Sequence, residues 1–544
     1  MKTVDLLIAG SGAAGLSAAI DAAELGLEAL VVEKASWLGG VTAISYGQVW
    51  APGNHVAGGA DRREDALAYL AFLGGGFGDA ALREILVDGG VSVVRRLGER
   101  AGVPWRAIPG LPDYHWPEVP GALAEGRMLE VGPVPDAALG AWAGRVRHSP
   151  HAPLALTNGE MLAAGGIAAS AGWDHALAAR RAAQGERTLG PGLASALVRA
   201  ALVDRGVEAW LDARVVELVA EAGAVVGAVV LREGRRERVA ARRGVLLATG
   251  GYDWNPELAR WFEQLPEWNS LCPPSITGDH IALAGALGAA VAAVPPLNLS
   301  ALFAIQVPGE EIEGAPRWRC AGFEAGLPHA ILVNDRGQRF ADESFYRDLL
   351  PRARAWDGRA QRYVNLPMFL VLDAQHRARY ALAGFPAGGE LPGGVAEQSD
   401  SLAGLAERLG IEPAALEATV ARFNAMARTG VDLDFGRGRV PWAHAMAGDL
   451  RVAPNPNLGP LEKPPFLGLR LAPVSGGINA AGLRADRFAR VAHVSGRPIA
   501  GLYAAGNAAA HLDVGAGYQS GIANLRGLVW GSVAARHAAG ALRE

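Results

Sequence analysis

The chain has 544 residues, 50% of them hydrophobic, enough to pack the cores of two or three domains. A formal net charge of −4 is close to neutral for this size and argues against a nucleic-acid or membrane-surface partner. The two cysteines, Cys272 and Cys320, show no CxxC spacing and no metal-ligating neighbours, the pattern of reduced thiols in a cytoplasmic protein.

Val4–Ala9 is a short, almost wholly apolar run, as a buried parallel strand requires, and it leaves no room for a signal peptide. It breaks into Gly10-Ser11-Gly12-Ala13-Ala14-Gly15, a G-x-G-x-x-G turn. Gly10 permits the tight turn, Gly12 lets backbone approach a pyrophosphate, and Gly15 lets the next helix pack close to the strand. That helix, Leu16–Leu25, offers its N-terminal N–H groups to phosphate. A second strand, Leu27–Val32, ends at Glu33, 18 residues after Gly15, where a carboxylate can accept from ribose hydroxyls. Lys34 and a glycine-punctuated loop, 37–47, follow, with small hydroxyl residues able to lie against a flat ring. Residues 62–100 carry the helical period of surface helices. Residues 104–160 are rich in Pro, Gly, Trp and His with little periodicity, and a loop of that length is usually functional. Within it, Asp113–Pro117 is an aromatic patch that either walls a pocket or packs between domains.

A helix is expected over 190–204, strands over 207–211 and 214–220, and a hairpin from 225–231 and 236–240. A buried strand from 244 ends in Ala248-Thr249-Gly250-Gly251 and brings the chain back to the nucleotide site. Asp279 opens a helix as an N-terminal acid. From 290 to 445 Pro and aromatic residues are frequent and the elements irregular, which reads as an inserted domain between 1–289 and 446–544. Strands are expected at 330–334 and 368–373, and helices at 402–409 and 413–428. The last part carries Gly506-Asn507, then Gly515-Ala516-Gly517-Tyr518-Gln519-Ser520-Gly521 and a final helix, Ile522–His537, whose dipole can stabilise negative charge. No apolar run reaches ~18 residues, so no membrane span is expected. His115 and His280 read as structural.

Several ordered motifs together identify a family. GSGAAG with Glu33, LGGVTAIS, LLATGGYDWN, TGDHIALAGALGA, RFADESFYRD, LEKPPF, GLYAAGN and GAGYQSG resemble the FAD-dependent fumarate reductase and 3-ketosteroid dehydrogenase superfamily over nearly the whole chain. VTAISYGQVWAPGN, DYHWPEVPG and EGR are most similar to the ketosteroid dehydrogenase branch. The resemblance implies an α/β fold: a split Rossmann-like FAD-binding domain of glutathione-reductase type with an inserted α+β substrate-capping domain and the flavin between them. It implies a cofactor set of Gly10, Gly12, Ala13, Ala14, Gly15, Glu33 and Lys34 from the first motif. Gly39, Gly40, Val41, Thr42, Ser45 and Gly47 come from the second. Val215, Thr249, Gly250, Asp279, Gly506, Asn507, Ser520 and Ile522 complete it. Val41 stands where some relatives attach FAD through His, so non-covalent FAD is expected.

The family moves hydride between flavin N5 and a carbon near an activating carbonyl or carboxylate, which requires a carbonyl-polarising group and a proton acceptor. By resemblance, Tyr346 is the cap tyrosine that acts as base, one residue out of register, and Gly517 is the carbonyl-binding glycine. The family's second tyrosine is replaced by Asp513, with Tyr518 the nearest phenol. In the fumarate reductase pattern N-E-x-x-x-R-D, the proton-donating arginine falls on Arg347, but the dicarboxylate clamp is replaced by Tyr518. A neutral or singly charged carbonyl substrate is thus expected. The implied activity is introduction of a C=C bond next to a ketone, in a steroid or smaller cyclic ketone, with electrons passed to a quinone-like acceptor. The alternatives are a flavin-dependent reductase of an unsaturated acid and a non-catalytic FAD-binding protein.

Overall fold

The computed structural model describes residues 2–59, 61–151, 155–298 and 301–542, so part of the expected 104–160 loop, 152–154, lies outside the described residues. In chain order the strands of its two main sheets are β1 (Lys2–Ala9), β2 (Ala29–Val32), β3 (Glu208–Trp210), β4 (Ala213–Glu221), β5 (Ala224–Arg232), β6 (Arg235–Leu247), β7 (Asn269–Ser270), β8 (Ala301–Ile312), β9 (Ala315–Cys320), β10 (Ala330–Asn334), β11 (Met368–Leu372), β12 (Glu397–Ser399), β13 (Phe466–Ser475), β14 (Arg490–Ala492) and β15 (Pro498–Ala504).

The first sheet is built on parallel pairing: β1 lies between β6 and β2, β2 pairs with β3, and β6 with β15. Side chains of β1 alternate between two cores, Leu6 and Ile8 on one face and Leu7 and Ala9 on the other. Two helices cover the first face, α1 (Ala13–Glu24) and the final helix (Ile522–Ala538). The second face packs against the β4–β5–β6 antiparallel ribbon. One difference from expectation lies in β6. It is a single 13-residue strand rather than two. Its register against β1 shifts between Val4 and Leu6, so Arg242 and Arg243 bulge out at the point where the sequence suggests a break.

The second sheet centres on β13, which pairs with β7, β8, β11 and β12. Its strands therefore come from 269 to 475, reaching beyond the composition shift at both ends. Helices Leu402–Leu409 and Pro413–Thr429 cover one face through Leu405, Leu416, Val420 and Phe423 against Ile331, Val333, Phe369 and Val371. The stretch expected as loop after 104 holds short strands: Met128–Val131 pairs on one side with Val49–Trp50 and on the other with Trp105–Ala107, and Val134–Pro135 pairs with Glu186–Arg187. The buried Arg127 binds it together, donating to Asp61, Asp113 and the Gly121 carbonyl. No helix among the described residues is long and apolar enough to cross a membrane.

Candidate active site

A cavity of about 700 Å³ runs from the turn after β1 to the β9 edge of the second sheet. At one end it is lined by Gly10, Gly12, Ala13, Ala14, Glu33 and Lys34. Gly10 has φ +110°, and a Cβ there would meet the Ala248 carbonyl oxygen at 2.2 Å, so only glycine fits the turn. Glu33 accepts from the Ser11 N–H at 3.0 Å and its hydroxyl at 2.6 Å, and from the Ala35 N–H at 2.9 Å. Lys34 donates to Thr277 at 2.6 Å and pairs with Asp279 at 3.2 Å. Burial works against the Asp279 charge, but Lys34, Thr277 and Arg214 outweigh it and hold the carboxyl below the usual range.

The middle is lined by Gly40, Val41, Thr42, Ser45, Gly47, Val215, Thr249, Gly250, Gly506, Asn507 and Ser520, all expected there. Three expected residues stand behind the wall. Gly15 packs against the Gly10 carbonyl, Gly39 lies between Ala43 and Ala194, and Ile522 is in the core with its N–H donated to the Gln519 carbonyl.

The far end carries aromatic residues. Tyr346 opens the helix Tyr346–Ala353 and lines the cavity with Tyr46, Phe323 and Tyr518. The Tyr346 hydroxyl hydrogen-bonds the Tyr114 hydroxyl, a contact across 232 residues of chain. Tyr114 is fixed from behind. Its N–H donates to Gln519 at 2.9 Å, and its neighbour Asp113 accepts from Trp50 and Arg127, both at 2.7 Å. The Tyr114 ring lies 4.7 Å from that of Trp442 and 6.3 Å from that of Tyr518. None of residues 113–117 lines the cavity, so the aromatic patch does not wall the pocket. It packs between elements and supports a cavity residue.

Arg347 is not on the lining. Its guanidinium sits over the rings of Tyr346 and Tyr518, 5.4 and 5.2 Å from their centroids, and donates to the Leu297 carbonyl. Gly517 is likewise off the lining, packed against the Leu73 backbone, while the next residue, Tyr518, reaches the cavity. Asp513 is buried and turned away, with both oxygens held by Arg526 and one by Trp530. Burial raises the pKa of all three phenols, Tyr114, Tyr346 and Tyr518. For Tyr346 the Arg347 charge and the Tyr114 hydroxyl pull against burial, whereas for Tyr114 the neighbouring phenols add to it. On the same wall, burial pushes the Glu324 carboxyl up to about 7 and the Cys320 thiol up to about 12.

A family model described as an FAD binding domain matches residues 5–523. The chain is 36% identical to a 4-oxocyclohexanecarboxylate 2-dehydrogenase of Sinomonas cyclohexanicum, covering 93% of this chain and 88% of that one. It is 33% identical to a 3-oxosteroid 1-dehydrogenase of Mycobacterium tuberculosis, over 94% and 93%. Among solved structures, a 3-ketosteroid delta1-dehydrogenase from Sterolibacterium denitrificans in complex with 1,4-androstadiene-3,17-dione superposes with a TM-score of 0.90, at 30% identity over all of both chains. The chain belongs to the FAD-dependent 3-ketosteroid dehydrogenase and fumarate reductase superfamily. A flavocytochrome c3 fumarate reductase shares the fold, with a TM-score of 0.65 at 22% identity over 99% of this chain and 78% of that one. This flavoprotein is thus an FAD-dependent oxidoreductase acting on CH–CH groups, with a mixed α/β flavoenzyme fold.

The residues present suit FAD. The glycine turn leaves backbone exposed at the start of α1, and Glu33 keeps acceptor capacity beside it. Asn507 donates to the Gly477 carbonyl, while its buried side-chain oxygen has no hydrogen-bond partner among the described residues. A donor on a ring or ribityl chain lying in this cavity would satisfy it. Metal is a separate matter: among the described residues no cluster of three or more His, Cys, Asp or Glu could hold an ion.

Proposed function

We propose that this flavoprotein dehydrogenates a cyclic ketone between the carbons α and β to its carbonyl, giving an enone. The observation that carries the reading is the buried Tyr114–Tyr346 hydroxyl pair at a cavity whose other end is the glycine turn. The first sheet and its helices would form the split FAD-binding domain, and the second sheet with its helices the cap. FAD, held without a covalent link because Val41 offers no nucleophile, supplies the acceptor for the hydride from the β carbon. Tyr518 donates a hydrogen bond from its hydroxyl to the ketone oxygen, which acidifies the α C–H. Tyr346 takes the α proton at its phenol oxygen. Tyr114 donates to that oxygen and favours its charged form, and Arg347, seated over both cavity phenols, favours it further. The substrate loses one proton and one hydride, and the electron pair leaves to an external acceptor of quinone type. Arg347 lies behind the tyrosines, which weighs against its serving as the proton donor of an enoate reductase.

The names of the relatives bound the substrate to a ring ketone, a 3-oxosteroid or a 4-oxocyclohexanecarboxylate. Anaerobic bleaching of the flavin by a panel of ring ketones tests the proposal. Bleaching that is lost in Tyr346→Phe supports it. A yellow protein that no ketone bleaches would sink it.

A further inference from the structure

The reading just proposed leaves a charge on the cavity wall without a task. Arg317 and Arg319, two apart on β9, both line the cavity and share one carboxylate, Glu310 of β8. Arg319 takes both of its oxygens, at 2.7 and 2.8 Å, and also donates to the Ala383 carbonyl. Arg317 reaches Glu310 only at 3.9 Å, donates one Nη to the Pro150 carbonyl, and has a buried Nε with no hydrogen-bond partner among the described residues.

The other acids on the lining do not compensate it. Glu33 is engaged by Ser11 and Ala35, and Asp279 by Lys34 and Arg214. Glu324 is buried, accepts from the Ala383 N–H, and is held largely protonated below about pH 7. A guanidinium in this setting is poorly served by a neutral, apolar ligand, because it loses water and gains no partner. A carboxylate satisfies it with charge-assisted hydrogen bonds.

We propose that Arg317 is a specificity-determining residue that anchors a carboxylate on the substrate, so the preferred substrate is a compact ring ketone bearing one carboxylate rather than a neutral steroid. This rests on the dehydrogenase reading. The strand places the two ends of such a molecule suitably. Arg317 lies three residues from Cys320, ~10 Å along β9, and Phe323, just beyond, meets the Tyr346 ring edge-to-face at 5.6 Å. One small ring can face the tyrosines while the arginine side chain reaches back to its acid group.

The test compares 4-oxocyclohexanecarboxylate, its methyl ester, cyclohexanone and a 3-oxosteroid as reductants of the holoenzyme in a dye-coupled assay. The acid is expected to show a KM roughly 10- to 100-fold below that of the ester. In Arg317→Gln the acid-to-ester KM ratio is expected to collapse towards one with kcat for the acid little changed, and Arg317→Lys to recover part of it. Flavin absorbance and Tm monitor the fold. If Arg317→Gln loses FAD, the acid-to-ester ratio of the unaltered protein decides. Equal KM for acid and ester, or turnover of the steroid alone, overturns the assignment of Arg317 and leaves the dehydrogenase reading standing. No bleaching by any of the four overturns both.

Discussion

Tyr346 is pulled in two directions, and the balance predicts a pH profile. Burial disfavours its phenolate, while the Arg347 guanidinium and the Tyr114 hydroxyl favour it. Tyr346→Phe should lower kcat by ~10²- to 10⁴-fold while leaving the flavin bound. Removing a stabiliser of the phenolate raises the pH at which Tyr346 ionises. Arg347→Gln and Tyr114→Phe should therefore slow the reaction at neutral pH and move the rising alkaline limb of kcat/KM to higher pH. A limb that stays in place in both variants would separate these residues from the proton transfer. Tyr346 and Tyr518 are legible from the sequence because both sit in stretches with family pattern, although Tyr346 is one residue out of register and Tyr518 is only the phenol nearest the replaced tyrosine. Tyr114 is not legible in the same way, because its meaning lies in a hydroxyl contact made 232 residues away. The placement of Tyr518 rather than Gly517 on the lining is a matter of side-chain direction in a glycine-rich turn, which no spacing encodes.

The segment behind the tyrosines is held by a small set of buried charges. Arg127 is only 1% exposed and answers both Asp113 and Asp61. Asp113→Ala leaves that charge short of a partner and frees the Trp50 indole, so a loss of about 3 kcal/mol or more is expected, read as a lower Tm. Tyr114 is the next residue, so activity should fall further than the unfolded fraction explains. The first helix and the last are packed as closely. A Cβ at Gly531 would meet the Ala14 carbonyl oxygen at 2.1 Å. Gly531→Val should therefore push α1 away from the cofactor turn and yield colourless protein, measured as the ratio of flavin to peptide absorbance. Elements with local punctuation were readable in advance. Leu402–Leu409 has Ser401 as its N-cap and Gly410 at its end, and Pro413–Thr429 begins with Pro and stops at Gly430. β6 was not, because its polar first half and apolar second half belong to different neighbours and only the tertiary pairing joins them.

Across the whole molecule, a buried carboxyl joins the segments that follow β6 and β13. Glu263 accepts from the Tyr252 hydroxyl at 2.7 Å and from the Ala480 N–H at 2.9 Å, with Arg354 at 3.8 Å. Burial raises it to about 7, above its ordinary value of 4.5. The folded state thus holds this proton more tightly than the unfolded state. Its contribution is fully present below about pH 4.5 and is lost as pH rises through about 7. Glu263→Gln removes that dependence, so its Tm relative to the unaltered protein should be higher at pH 8 than at pH 5. Equal differences at both values would contradict the burial argument. Length allows for two or three domains, but the strand membership of the sheets does not follow from it. β13 completes the second sheet from a position beyond the region whose composition marks it out.

The order of strands also says something about how the protein is made. β1 leaves the ribosome more than two hundred residues before its partner β6, and β6 in turn waits for β15 at 498–504. At roughly 5–20 residues per second, each of these apolar strands waits roughly 12 to 50 s for its neighbour. Such a nascent chain depends on whatever shields it meanwhile. Slower translation at low temperature, or extra chaperone, should raise the share of product that emerges yellow.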